Sequence, residues 1–309
     1  MRIAVMGAGA LGLYYGGRLQ AAGTEVAYVA RGANLSALKA EGLRIESPFG
    51  DLHLPEVKAT ADPAEIGPVD LVLFLVKMQD APAALEEMRP LVGPETTILS
   101  LQNGVDARRL IAEAYGDGRV MGGTTQIPAV LSKPGAVRHG GAFARVFFGE
   151  FDGAESPRAL ALLAAFHAAG VEASLVSDIE ARIWEKFTFL SSFSGVTAVT
   201  RLPIGPIRRN EAASALLRRA VEEAHAVGRK LCPTLPESNL EKVWGLIGGL
   251  PEGMRSSMLE DLSRGKALEL PFLSGSVARL AGEVGIEAPV HGFIAAALSP
   301  WAKGAPEGA

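Results

Sequence analysis

A single cysteine, Cys232, stands among 309 residues. It excludes an internal disulfide and any metal site built from several thiolates. With Pro233 behind it and no catalytic-cysteine context around it, it reads as a structural residue. The five histidines, His225 and His291 among them, show no HExxH or paired spacing, so no metal is expected and each reads as a satisfied structural histidine. Excess charge of one sign is also lacking. Thirty basic and 34 acidic residues leave a net charge of −4, which gives no bulk attraction to nucleic acid or anionic lipid. Arg208-Arg209 and Arg218-Arg219 are short basic pairs without a long basic stripe or an aromatic platform. They read as solvated helix faces or subunit contacts, and no nucleic-acid partner is expected. Mean hydropathy is +0.22, yet no apolar run approaches the roughly 20 residues that span a bilayer, so no membrane partner is expected. The opening MRIAVMGAG has no basic n-region, long h-region or cleavage site, and a cytoplasmic location is expected. What the chain does have is 48% hydrophobic residues, ample for a core, and 36 glycines without a collagen-like period. Its length suggests two domains at roughly 100–200 residues each.

The first half alternates strand and helix. Arg2–Met6 is a short apolar run that stops at Gly7. Leu11, Tyr15, Arg18 and Leu19 follow at helical spacing, Gly23 ends that helix, and Glu25–Ala30 reads as a second strand. This is a βαβ unit, with a right-handed crossover expected. Asn34–Glu41 reads as helix, and Leu43–Ser47 with Asp51–Leu54 as a hairpin insertion. The apolar run Asp70–Val76 fits a parallel strand buried on both faces, and Thr97–Leu101 is a similar strand after a helix at Ala83–Leu91. Val120–Ile127, Ala136–Arg138, Arg145–Phe151 and Glu172–Val176 add β material around a helix at Pro157–Ala169. Residues 1 to about 176 read as one open sheet. From Asp178 onward only helical periodicity remains, in segments through Trp184, Leu217, Glu237–Leu246, Ser256–Arg264, Phe272–Val284 and Val290–Ala302. The expected fold class is α/β: a Rossmann-type doubly wound sheet over 1–176 and an all-helical substrate and catalytic domain over 177–309. The tail Gly304–Ala309 reads as disordered.

Gly7-Ala8-Gly9-Ala10-Leu11-Gly12 matches G-x-G-x-x-G between a strand and a helix, the context that makes the pattern informative. Gly7 allows the tight turn, Gly9 lets backbone approach a pyrophosphate, and Gly12 lets the helix pack on the sheet. The helix N-terminus offers free N–H groups and a positive dipole end to the phosphates. A glycine-rich turn without a ligand is the plainer alternative. An NAD site usually places Asp or Glu after the second strand, about 20 residues on. Here that position holds Arg31. An arginine cannot accept a bond from a ribose hydroxyl but can clamp a 2′-phosphate, which points to NADPH/NADP+. A solvent-exposed arginine at a strand end is the alternative.

Several separated pieces together resemble one family. They are Gly7–Gly12 with Arg31; Val76-Lys77; Leu101-Gln102-Asn103-Gly104-Val105; Pro134-Gly135-Ala136-Val137-Arg138-His139-Gly140; Ile183-Trp184-Glu185-Lys186-Phe187; Ser256-Ser257-Met258-Leu259-Glu260-Asp261; and Leu268-Glu269-Leu270. In order and spacing the chain resembles the 2-dehydropantoate 2-reductases (ketopantoate reductases) over essentially its whole length. The resemblance implies a Rossmann domain and a helical domain with the active site between them. It implies Lys186 as the acid that protonates the ketone oxygen, which a lysine can do if its pKa is lowered toward neutral. It also implies Glu269 as the carboxylate that binds the substrate hydroxyl, and Ser257 as a substrate-binding serine. Asn103 is implied at the cofactor and the substrate near it, and Lys77 at the substrate carboxylate or the cofactor. Lys77 and Asn103 each fall just past a predicted parallel strand, the edge where ligands bind in such sheets. For Ser257 the alternative is helix N-capping; for Glu269 it is a favoured helix N-terminal charge before Pro271.

The chain departs from the family at three positions. Leu190 and Ser194 stand where asparagines are usual, and Ile204 where a later one falls. A more apolar pocket follows, or one that uses Ser191, Ser194 and Thr197 instead. The leading expectation is NADPH-dependent reduction of a small-molecule 2-keto acid, 2-dehydropantoate first, in pantothenate biosynthesis. The alternatives are another 2-keto acid or ketone, and a non-catalytic NADP(H)-binding redox sensor. A homodimer through the helical domain is a further partner expectation.

Overall fold

A computed structural model of the chain describes residues 1–306; the last part of the tail expected to be disordered, 307–309, lies outside the described residues. Among the described residues twelve strands run in chain order: β1 (Arg2–Met6), β2 (Glu25–Val29), β3 (Leu43–Glu46), β4 (Leu52–Leu54), β5 (Lys58–Thr60), β6 (Val69–Phe74), β7 (Val92–Ser100), β8 (Val120–Gln126), β9 (Ala129–Lys133), β10 (Ala136–His139), β11 (Arg145–Gly149) and β12 (Glu172–Leu175). The α-helices are α1 (Ala10–Ala21), α2 (Gly32–Glu41), α3 (Ala81–Glu87), α4 (Ala107–Tyr115), α5 (Pro157–Ala168), α6 (Ile179–Thr200), α7 (Ile204–Arg209), α8 (Glu211–Leu231), α9 (Asn239–Gly249), α10 (Ser257–Ser263), α11 (Ser274–Val284) and α12 (Pro289–Leu298). Two compact units emerge. The first comprises Met1–Gln102 and Ala107–Ile179, the second Asn103–Asp106 and Glu180–Ala309. Among the described residues no helix is long and apolar enough to cross a membrane.

The first unit is built on an eight-stranded sheet of order β12-β11-β8-β7-β6-β1-β2-β5. Strands β8 through β5 in that order are parallel, and β11 runs antiparallel to β8. The period of two in a strand sends alternate side chains to opposite faces. Ile3, Val5, Leu71, Leu73 and Leu99 therefore meet Leu13 and Leu19 of α1 and Phe166 of α5. Ala4, Met6, Val72, Phe74 and Ile98 meet Ala84 and Leu85 of α3 and Ile111 of α4. Both faces are covered, which is why these strands read as continuous apolar runs.

One expectation needs correction. The first half is not a single sheet, because β4, β3, β10 and β9 form a separate four-stranded sheet in that order. The hairpin was legible, but its parallel pairing with β10, Ala136 against Arg44, joins residues about ninety apart that no local pattern connects. Strand β9 also escapes a sequence reading, since four of its five residues are exposed and carry little periodicity.

Among the described residues of the second unit there are helices and turns but no strand. Asn210 caps α8 by accepting from the Ala213 N–H at 2.9 Å. Leu217, Ala220, Val221, Ala224 and Val227 then bury one face of α8 with Trp184, Phe187 and Val196 of α6 and Ile294 of α12. The α6 hydroxyls are mostly spent on their own helix. Thr188, Ser191, Ser192 and Thr197 donate to the carbonyls of Trp184, Phe187, Thr188 and Phe193 at 2.7–2.9 Å. The basic pairs are likewise engaged. Arg208 donates to the Ile247 and Gly248 carbonyls at the end of α9, Arg209 pairs with Glu252, and Arg218 with Glu222 and Glu241. His291 donates from Nε2 to the Ala220 carbonyl at 2.9 Å, but among the described residues neither its Nδ1 nor that of His225 has a hydrogen-bond partner, so the reading of each as satisfied does not hold for these two.

Candidate active site

In the first unit, β1 ends at Met6 and the chain turns through the glycine loop into α1. Gly7 has φ of +106°, in the region that favours glycine. A Cβ there would lie 2.6 Å from the Val76 nitrogen, so the loop packs directly on the backbone that follows β6. A Cβ on Gly12 would lie 2.2 Å from the Gly7 carbonyl oxygen. Gly9 differs: a Cβ there meets nothing within 4 Å. Gly9 is also the N-cap of α1 and offers no side-chain cap to its first-turn amides. Open space beside uncapped N–H groups fits a pyrophosphate. Ala8 is buried, and Ala10 and Leu11 are half-buried at the start of the helix.

Arg31 follows β2 as the N-cap residue of α2, with its side chain 63% exposed and ion-paired to Glu87 at the end of α3. Lys77 lies exposed beyond β6. Gln102, just past β7, donates through Nε2 to the Val76 carbonyl at 2.7 Å and ties these two strand ends together.

In the second unit, three of the expected residues form one chain of hydrogen bonds. The half-buried Lys186 donates from Nζ to Asn103 Oδ1 at 3.0 Å. Asn103 in turn donates from Nδ2 to Glu269 Oε2 at 3.4 Å. Burial pushes the Lys186 ammonium down to about 8, and the Glu269 carboxylate pulls the other way. A lysine so placed holds a proton at neutral pH and can release it to a developing alkoxide. Glu269 is the N-cap residue of the short 3₁₀ turn Leu270–Phe272, but its side chain makes no cap bond to that turn. Ser257 is exposed as the first residue of α10, and the cap belongs to Ser256, which accepts from Leu259 N–H at 3.1 Å. The capping alternative for Ser257 is therefore one residue out of register.

The positions that depart from the family pattern continue the face that begins at Lys186. Leu190 lies one turn on and is half-buried; Ser194, one turn further, is fully buried with an unpartnered hydroxyl. Ser191 and Thr197 do not serve as free donors, since their protons go to helix carbonyls. Ile204 is fully buried. Thr197, which also meets Ser256 at 2.7 Å, shows how hydroxyls on different elements are paired off here.

The family model described as Ketopantoate reductase PanE/ApbA matches residues 3–153, and its C-terminal companion matches 178–301. The chain belongs to the ketopantoate reductase family. It is an oxidoreductase of the α/β class with a mainly parallel N-terminal sheet and a helical C-terminal part. The 2-dehydropantoate 2-reductase of Archaeoglobus fulgidus is 33% identical over 291 residues, covering 94% of each chain. That of Mesorhizobium japonicum is 32% identical over 301 residues, covering 91% of each. The crystal structure of a ketopantoate reductase from Ralstonia eutropha JMP134 superposes with a TM-score of 0.89 at 32% identity, covering 98% of each chain.

Proposed function

We propose that this ketopantoate reductase family member reduces the ketone of a 2-oxo acid to a 2-hydroxy acid with NADPH, 2-dehydropantoate being the first substrate to test. The observation that carries the reading is the Lys186–Asn103–Glu269 chain, with Lys186 at a pKa of about 8. The first unit holds the cofactor through Gly7–Gly12 and Arg31, and the second holds the substrate. Reduced nicotinamide, when bound, supplies the hydride that adds to the 2-oxo carbon. Lys186 donates from Nζ to the ketone oxygen and passes its proton there as charge develops. Asn103 holds Nζ in place by accepting a hydrogen bond from one of its three N–H groups. Glu269 keeps Lys186 charged until the transfer and takes a hydrogen bond from a substrate hydroxyl. Ser257 and Lys77 add polar contacts to the substrate carboxylate or cofactor. A cytoplasmic location accords with an NADPH supply.

Arg31 favours a 2′-phosphate, but its exposure tempers the size of the effect. An exposed charge pair contributes about 1 kcal/mol or less, so a preference for NADPH over NADH of several-fold is expected. The test is NADPH consumption with a panel of 2-oxo acids, beside titration of NADPH and NADH into wild type and Arg31→Ala. Equal binding of the two nucleotides by wild type contradicts the Arg31 assignment, and no turnover with any 2-oxo acid contradicts the reaction.

Leu190 favours a second reading of the substrate. An apolar side chain one turn from the acid suits a 2-oxo acid with an apolar group beside the ketone. A lower KM for such an acid than for 2-dehydropantoate supports that reading.

A further inference from the structure

The glycine loop is held from one side by the backbone after β6. On its other side stands Asn34, three residues after Arg31 in the first turn of α2. Asn34 donates from Nδ2 to the Ala8 carbonyl at 2.6 Å. Its Oδ1 accepts from the Gly135 N–H at 2.9 Å. Gly135 is buried, sits at the turn between β9 and β10 with φ of +71°, and its own carbonyl accepts from Arg44 at the start of β3. One amide therefore ties the phosphate loop, helix α2 and the small sheet together.

From this bridge we infer that Asn34 is a positioning residue for the NADPH site. It sets the orientation of the Ala8–Gly9 peptide and its distance from Arg31. The peptide unit is planar and trans, so a pinned carbonyl also fixes the N–H on its other side. With the Ala8 oxygen drawn toward Asn34, the Gly9 N–H points away from α2. Asn34 and Arg31 share one helical turn. The same bond therefore fixes how far the pyrophosphate loop lies from the guanidinium that meets the 2′-phosphate. Asn34 itself touches neither phosphate in this account. The inference rests on the proposed binding of NADPH by the first unit.

The two arms of the amide can be separated. Asn34→Ala removes both. Asn34→His retains a ring N–H close to the position of the amide Nδ2 and gives up the acceptor for Gly135. Ser36→Ala, on the same helix, removes only a 3.4 Å contact with the Gly32 carbonyl and serves as control. NADPH and NADH are titrated into each protein by calorimetry, with melting curves and steady-state kinetics alongside. Asn34→Ala is expected to weaken NADPH binding about tenfold, the cost of one well-made hydrogen bond. It should raise KM for NADPH in step, keep kcat within about twofold, and lower the NADPH-to-NADH preference. Asn34→His is expected to recover most of the NADPH affinity whatever its melting temperature, and Ser36→Ala to match wild type. An Asn34→Ala protein that melts lower yet binds NADPH as wild type does assigns Asn34 to structure alone and overturns the inference. So does an Asn34→His protein that folds and binds no better than Asn34→Ala. If Asn34→Ala does not fold, the histidine variant decides alone: near-wild-type affinity supports the role and a tenfold loss overturns it. A wild-type chain that binds neither nucleotide overturns this inference together with the reading beneath it.

Discussion

In the proposed reaction Lys186 keeps its proton until the ketone oxygen demands it, and burial rather than a neighbouring cation lowers its hold on that proton. The sign for activity follows directly. Reduction needs the ammonium form, so the rate should be flat below about pH 8 and fall tenfold per unit above it, read from kcat/KM across pH. Glu269 raises this pKa, so Glu269→Gln should move the alkaline limb to lower pH as well as weaken substrate binding. A limb that stays in place removes Glu269 from the electrostatics of the acid. Lys186→Ala should lower kcat 10²–10⁴-fold, roughly the worth of a positioned general acid, while leaving NADPH affinity nearly unchanged. Lys186→Arg should rescue poorly, because a guanidinium does not give up its proton near neutral pH. A melting curve guards against misfolding, since Trp184 and Phe187 flank Lys186 in the core. At Leu190, an asparagine should raise turnover of 2-dehydropantoate by several-fold if it reaches a substrate oxygen, about 1 kcal/mol for one bond; unchanged turnover places Leu190 outside the contact shell. Arg31 stands out in the sequence because a spacing rule points to it. The meeting of Lys186 with Asn103 does not: 83 residues separate them, and only likeness to a family singles them out. No sequence pattern shows that Asn34 reaches Ala8, or that Ser256 rather than Ser257 caps α10.

Among the elements, the loop before α1 separates folding from binding within six residues. Gly12→Ala drives a methyl group into the Gly7 carbonyl and should lower the melting temperature together with NADPH affinity, since overpacking costs about 1–3 kcal/mol. Gly9→Ala meets open space in the protein itself. It should melt like wild type and still lose NADPH affinity, because the added methyl occupies the approach of the pyrophosphate. If Gly9→Ala binds normally, the nucleotide does not approach there. The parallel strands were legible because burial on both faces leaves a continuous apolar stamp. The short β5 and the exposed β9 leave none, and the small sheet depends on a pairing between distant segments.

For the whole molecule, the division into two compact units means that a ligand of one unit is expected to stabilise that unit. NADPH at about a hundred times its Kd should add about 2.7 kcal/mol to the stability of the first. Thermal melts with NADPH and with NADH at matched concentration check this. Equal shifts from the two nucleotides contradict the role given to Arg31. Composition set the broad class, and the change of periodicity near residue 178 marked where strands cease. It could not mark a four-residue excursion, because Asn103–Asp106 are read in the run of the first half but belong to the second unit.

That excursion governs how the protein can be taken apart or recombined. Asp106 is buried and takes hydrogen bonds from Ser276 and Arg279, far along the chain. A fragment ending at residue 179 would keep Asp106 and lose both donors, and the complementary fragment would keep Lys186 without its Asn103. Grafting the helical half of this chain, cut at residue 180, onto the sheet of a relative would leave Asn103–Asp106 behind in the same way. A chimera built from this chain should carry the tetrapeptide 103–106 with the helices, as a second, interior crossover point, because its helical unit is discontinuous in sequence.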